Sequence, residues 1–195
     1  MVRLGLTAVY GVGLVAAEAF RWRGWRLRRR SRQAGRLRTR HALSAERVVL
    51  LGIVAGIWVL PLVYACTNWL GAADYTLPVW AGWLGTGLLA VSLIVRREAH
   101  RALGSHWSPT LETADGQSLV TRGIYAHARH PMYASLVLWA AAQPMLLQNL
   151  LAGWGGVVAV SLIWLIRVPR EEAMMVERFG DAYREYMART GRFVS

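Results

Sequence analysis

Two stretches of this chain hold side chains that could do chemistry. The first reads Arg129-His130-Pro131-Met132-Tyr133. A proline there suits the first turn of a helix, where its missing N–H leaves no hydrogen bond unmade. His130 then caps that helix, beside amides that have no partner within it and suit a carboxylate or another anion. An interfacial cap with an aromatic belt of Trp107, Tyr125 and Tyr133 accounts for the same residues without a ligand. The second stretch begins Arg167-Val168-Pro169-Arg170-Glu171-Glu172. Arg167 and Glu171 are four apart and share a face of any helix that continues through Pro169. The plainer reading is a snorkelling arginine followed by acids at the start of a new helix. Tyr183 and Tyr186, three apart, are expected to pack together on a last helix along a membrane surface.

The elements that position these residues are apolar runs. The chain has 195 residues, 55% of them hydrophobic and 17% charged, with a mean hydropathy of +0.29. That is too apolar for a disordered chain and too poor in charge for an ordinary soluble domain. The runs are Leu4 to Phe20, Val48 to Cys66, Leu77 to Val95, Met132 to Leu147 and Leu150 to Ile166. They predict an all-α, polytopic membrane protein with five transmembrane helices, plus connector and C-terminal helices on the cytoplasmic side. Gln148 and Asn149 alone separate the last two runs, which reads as a tight helical hairpin. That hairpin brings the two polar stretches together. Residues 1–98 read as scaffold spans and 99–195 as the half that carries chemistry, within one membrane domain.

All 23 basic residues are arginine, against 11 acids, for a net charge of +12. The charge lies in blocks between apolar runs. The segment 21–47 holds 11 arginines, whereas the link 67–76 holds only Asp74. The positive-inside rule puts 21–47, 96–130 and 167–195 in the cytoplasm and the N-terminus outside. The first run is read as a retained helix, because its arginines follow the apolar core instead of preceding it. The arginine block reads as a topology determinant that meets anionic lipid headgroups. No module for reading nucleic acid accompanies it, so no nucleic-acid partner is expected. Gly52 and Gly56 make a small-residue pair for close helix packing. Cys66 is the only cysteine, which excludes a disulfide framework or a cysteine-based metal site, and no metal is expected.

The two polar stretches, in their order and spacing, resemble the isoprenylcysteine carboxyl methyltransferase family, an integral-membrane group similar also to phospholipid N-methyltransferases. The matching residues are Leu119-Val120-Thr121, Gly123-Ile124-Tyr125, Arg129-His130-Pro131 and Tyr133, then Glu171-Glu172, Phe179-Gly180, Tyr183, Tyr186 and Arg189-Thr190. They span roughly 106–193. Gln117 stands where relatives often carry a histidine.

The resemblance implies a methyltransferase that uses S-adenosyl-L-methionine and releases S-adenosyl-L-homocysteine. Its cofactor shell would be Gln117, Ser118, Leu119, Val120, Tyr125, His130, Pro131, Met132, Tyr133 and Glu171. Its catalytic residues would be Arg167, Glu171 and His130, with Arg167 also touching substrate. Thr110 or Leu111 would line the site beside them. The implied partner is a lipophilic small molecule or a lipidated substrate within membrane lipids, with no obligate protein partner. A carboxylate acceptor needs no base, whereas an amine needs His130, Glu171 or water to take its proton. The expected location is a cell membrane, read as a bacterial inner membrane from the all-arginine content, with the site facing the cytoplasm. Three other readings stay open: a phospholipid or amine N-methyltransferase, an NADPH-dependent membrane reductase of the sterol type, which shares a similar Arg-His-Pro-x-Tyr region, and a membrane adaptor without catalysis.

Overall fold

The computed structural model of the protein describes residues 2–32, 37–38, 44–104, 113–114 and 118–193. Gln117, Thr110, Leu111 and Trp107 lie outside these, as do 33–36 and 39–43 of the arginine-rich segment. The described elements are α1 (Val2–Arg32), β1 (Leu37–Arg38), α2 (Ser44–Ile53), α3 (Leu60–Cys66), α4 (Val79–Leu103), β2 (Thr113–Ala114), α5 (Pro131–Leu147), α6 (Leu150–Leu162), α7 (Val168–Phe179) and α8 (Asp181–Arg189). Among the described residues, the regular structure is helical apart from a two-residue antiparallel ladder pairing Leu37 with Ala114 and Arg38 with Thr113. Helix α1 runs on past Phe20 into the segment expected as a loop, because arginine is a strong helix former.

Among the described residues, four helical stretches are long and apolar enough to cross a bilayer: Arg3–Trp22, Glu46–Cys66, Val79–Leu103 and Leu150–Phe179. The fifth expected span is the shorter helix α5, 17 residues or about 26 Å at ~1.5 Å per residue. Large apolar side chains, such as Leu4, Leu51, Trp83, Ile94 and Leu165, cover the outside of the helices. That pattern suits contact with lipid, where backbone groups are satisfied within each helix.

Two of these stretches hold a wider π turn just ahead of a proline. Val54–Val59 precedes Leu60 and Pro61, and Ile163–Arg167 precedes Val168 and Pro169. Leu60 N–H bonds to Ala55 O and Val168 N–H to Ile163 O, five residues back. The extra residue per turn moves the proline ring off the carbonyl it would otherwise strike, so each helix continues through its proline. The carbonyls that Pro61 cannot serve find side chains from other helices. Tyr10 Oη donates to Ile57 O at 2.9 Å and Gln143 Nε2 to Gly56 O at 2.8 Å. Trp139 Nε1 in turn donates to Tyr10 Oη at 3.0 Å. These bonds tie α1, the second span and α5 around a centre of Tyr10, Leu14, Leu89, Trp139 and Leu146. The small-residue contact occurs at Gly56, whose Cβ, if present, would strike the Gly155 carbonyl of α6.

The α5–α6 hairpin turns on two residues. Gln148 adopts φ 48°, and Asn149 caps α6, its Oδ1 accepting from Leu151 N at 3.0 Å and Ala152 N at 2.9 Å. Asn149 Nδ2 also donates to Leu70 O and Asp74 Oδ1. This turn sets the His130 end of α5 beside the Arg167 end of the α6–α7 helix.

Candidate functional site

Beside those two ends lies a cavity of about 270 Å³. One wall is built from the polar stretches: Ser118, Leu119, Val120, Tyr125, Arg129, His130, Met132, Tyr133, Arg167 and Glu171. The described residues of the expected cofactor shell therefore all line it, except Pro131. Pro131 is fully buried in the first turn of α5, where it sets the direction of His130 and Met132 on either side.

Helix continuation through Pro169 puts Arg167 and Glu171 one turn apart on the same face. Tyr133 joins them across the gap from α5. Its hydroxyl donates to Glu171 Oε2 at 2.5 Å and accepts from Arg167 Nε at 2.9 Å. Arg167 is buried, at 8% exposure. A guanidinium and a carboxylate are thus bridged by one phenol at the cavity edge.

His130 occupies the N-cap position of α5, but its side chain makes no capping bond. Its ring faces Glu172 instead, with Nε2 3.2 Å from Oε1. The ring stacks on Tyr133 at 5.5 Å between centroids and stands nearly perpendicular to Trp164 at 6.4 Å. Glu172 is a hub, since Arg129 Nη1 lies 3.2 Å from Oε1 and Arg192 Nη2 2.6 Å from Oε2. Three basic groups around one buried carboxylate keep it ionised and oriented.

The last helix closes the wall. Tyr186 Oη donates to Tyr125 O at 2.5 Å, and the rings of Tyr183 and Tyr186 pack at 5.9 Å as their spacing suggested. Burial raises the phenols of Tyr125 and Tyr183 well above their ordinary value and lifts Tyr186 to about 12. All three are neutral near neutral pH.

Sequence reasoning missed part of this assembly. Arg129 and Glu172 were quoted as motif residues without a role, and Trp164 and Arg192 were given none. The one available signal was Glu172 standing next to Glu171, because adjacent helix residues face different sides. The opposite wall was missed too. Leu14, Ala17, Glu18 and Arg21 of α1, Leu50, Ile53, Ile57 and Trp58 of the second span, and Arg96 of α4 line the same cavity. Those residues lie 70 or more positions from Glu171 and carry no motif.

A helical protein with bilayer-length apolar stretches and a polar-lipped cavity between them is one class; the comparisons point to a particular family within it. The model of the isoprenylcysteine carboxyl methyltransferase (ICMT) family matches residues 84–177. The resemblance read from the motifs therefore stands on the part of the chain that builds the polar wall. Curated relatives are protein-S-isoprenylcysteine O-methyltransferases. That of Schizosaccharomyces pombe is 32% identical over 102 residues, covering 51% of this chain and 43% of the relative. The human enzyme is 33% identical over 112 residues, covering 55% and 39%. The chain thus spans less than half the length of these relatives. A solved structure described as the eukaryotic intramembrane Ras methyltransferase ICMT is 23% identical, with a TM-score of 0.47, and covers 75% of this chain and 49% of that one.

Proposed function

We propose that this protein is an integral-membrane methyltransferase that uses S-adenosyl-L-methionine to methylate a lipophilic carboxylate of the isoprenylcysteine kind. The observation that carries this reading is the Arg167–Tyr133–Glu171 chain on the wall of one cavity with Ser118, Leu119, Val120, Tyr125 and His130.

The donor set fits the cofactor. Glu171 presents a carboxylate suited to an ammonium or to ribose hydroxyls, with charge-assisted strength. Leu119 and Val120 offer an apolar wall for a purine. Tyr125 and Tyr133 present aromatic faces that tolerate a sulfonium. When bound, the cofactor supplies an electrophilic methyl group on a cationic sulfur. The chain's residues bind, orient and keep water away, and alignment of the reacting atoms is their main contribution.

For the acceptor, the charge of the cavity favours an anion over an amine. Among the described residues it is lined by five arginines (Arg21, Arg96, Arg129, Arg167, Arg178) and two glutamates (Glu18, Glu171). An acceptor carboxylate is already ionised at neutral pH, so it is bound in its reactive form and needs no base. Arg167, a buried guanidinium on the cavity wall that bonds to Tyr133 through Nε, is the group that holds it. The apolar wall of Leu14, Leu50, Ile53, Ile57 and Trp58 suits the lipid part of the same molecule. With the arginine-rich ends inside, the site opens at the cytoplasmic face of the membrane, an inner membrane if the source is bacterial.

Calorimetry on the purified protein tests the cofactor: S-adenosylhomocysteine binds and NADPH does not. Transfer of labelled methyl then tests the acceptor, with a prenylated cysteine carrying a free carboxylate set against an amine lipid. Label in the prenylcysteine ester supports the reading, and label in the amine lipid redirects it to N-methylation. NADPH binding without S-adenosylhomocysteine binding sinks it. In Arg167→Ala, kcat/KM for the carboxylate falls about 30-fold, the range for a lost buried charge-assisted bond, while affinity for S-adenosylhomocysteine holds.

A further inference from the structure

The segment after α8 turns back against the start of α5. Arg129 N–H donates to Gly191 O at 2.9 Å and His130 N–H to Arg192 O at 3.1 Å. Phe193 lies on Trp164 at 4.3 Å between ring centroids, and the Trp164 and His130 rings stand nearly perpendicular, 6.4 Å apart. The Arg192 side chain grips Glu172 with a fork, Nε to Oε1 at 3.1 Å and Nη2 to Oε2 at 2.6 Å. A fork on both oxygens fixes the plane of the carboxylate, which one point charge cannot do. The same Oε1 is the atom that the His130 ring faces. Glu172 itself does not line the cavity, whereas His130 does.

We infer that the segment Thr190–Phe193 is a clasp that orients His130, with Arg192 as a positioning residue acting through Glu172. The inference rests on the methyltransferase reading, since the orientation it preserves is that of the cofactor wall. Backbone bonds from Gly191 and Arg192 fix where the cap stands, the forked carboxylate fixes how its imidazole is turned, and Phe193 backs the indole on the other side. The match to the family's model ends at residue 177, although Thr190 belongs to the motif residues read from the sequence.

Two measurements on the full chain test the clasp. The first is the affinity for S-adenosylhomocysteine. Arg192→Ala weakens it about tenfold, the scale of one lost charge-assisted bond, and Arg192→Lys restores part of the loss. The second is the ring ¹⁵N signal of His130 in the ligand-free protein, which moves in Arg192→Ala. Asn149→Ala, at the far end of the hairpin, lowers stability but changes neither readout. An unmoved His130 signal, or wild-type affinity in Arg192→Ala, overturns the clasp while the methyltransferase reading stands. Failure of the wild-type protein to bind S-adenosylhomocysteine overturns both.

Discussion

The α5–α6–α7 hairpin has a polar cluster at each end, and the two are built differently. At the turn, Asn149 uses its amide on four partners at once. Arg3 joins the same cluster by donating to Asp74 and to Tyr75 O, and Tyr75 N–H donates to Gln148 O. These groups are short and satisfied by one another. At the open end, long side chains surround a cavity and not all are satisfied. Arg129 Nε and Nη1 and Trp164 Nε1 are buried there without a hydrogen-bond partner among the described residues. The Arg129 guanidinium lies in an ion pair with Glu172, Nη1 3.2 Å from Oε1. A cluster that only holds a fold completes its own bonds, because an unmade buried bond costs about 1–3 kcal/mol. A cluster that binds something keeps capacity in reserve, and its stability is borrowed from neighbouring packing.

That contrast can be broken by exchanging the effects of mutations at the two ends. The largest effect is expected at Glu171. Glu171→Ala removes the acceptor for Tyr133 and the carboxylate at the cavity, and affinity for S-adenosylhomocysteine falls about 100-fold. Thermal unfolding in detergent stays near wild type, because Glu171 is only half-buried. A large stability loss with unchanged affinity would turn this end into a second structural knot. Asn149→Ala has the opposite signature. It loses the α6 cap and two bonds to the 67–78 link, and stability falls by about 2 kcal/mol. The binding isotherm is unchanged. The smallest effect belongs to Arg3→Ala. Its ion pair with Asp74 is partly exposed, so the loss stays below about 1 kcal/mol and shrinks further in high salt.

Much of the candidate site was legible before the fold was known. Tyr133 lies two residues beyond Pro131, so once Pro131 starts a helix the phenol is placed on its first turn. Arg167 and Glu171 are four apart, so once the helix continues they share a face. The condition that was not legible is the continuation itself. A proline at 169 ordinarily marks a boundary, and the helix is carried past it by the π turn at Ile163–Arg167. His130 was legible as a cap but not in its ring contacts. Glu172 meets the ring from α7, and Arg192, twenty residues on, meets Glu172 only because α8 folds the chain back. The first half was legible as apolar runs alone. Its cavity-facing residues, Glu18 and Arg96 among them, look like any helix-end charges until the helices pack.

By itself, then, the order of residues determined which segments are apolar helices, where the short hairpin turns, and which polar motifs its two arms carry to the same level. These follow from local chemistry: hydropathy over some twenty residues, a proline in a first turn, an asparagine at a cap. The tertiary structure decided which of two adjacent glutamates faces the cavity and which anchors His130, and that α1 and α4 supply the opposite wall. Those outcomes depend on the rotation of each helix about its own axis. Rotation is set by long-range packing, such as Gly56 against Gly155 and Tyr10 against Ile57, and no short stretch of sequence encodes it.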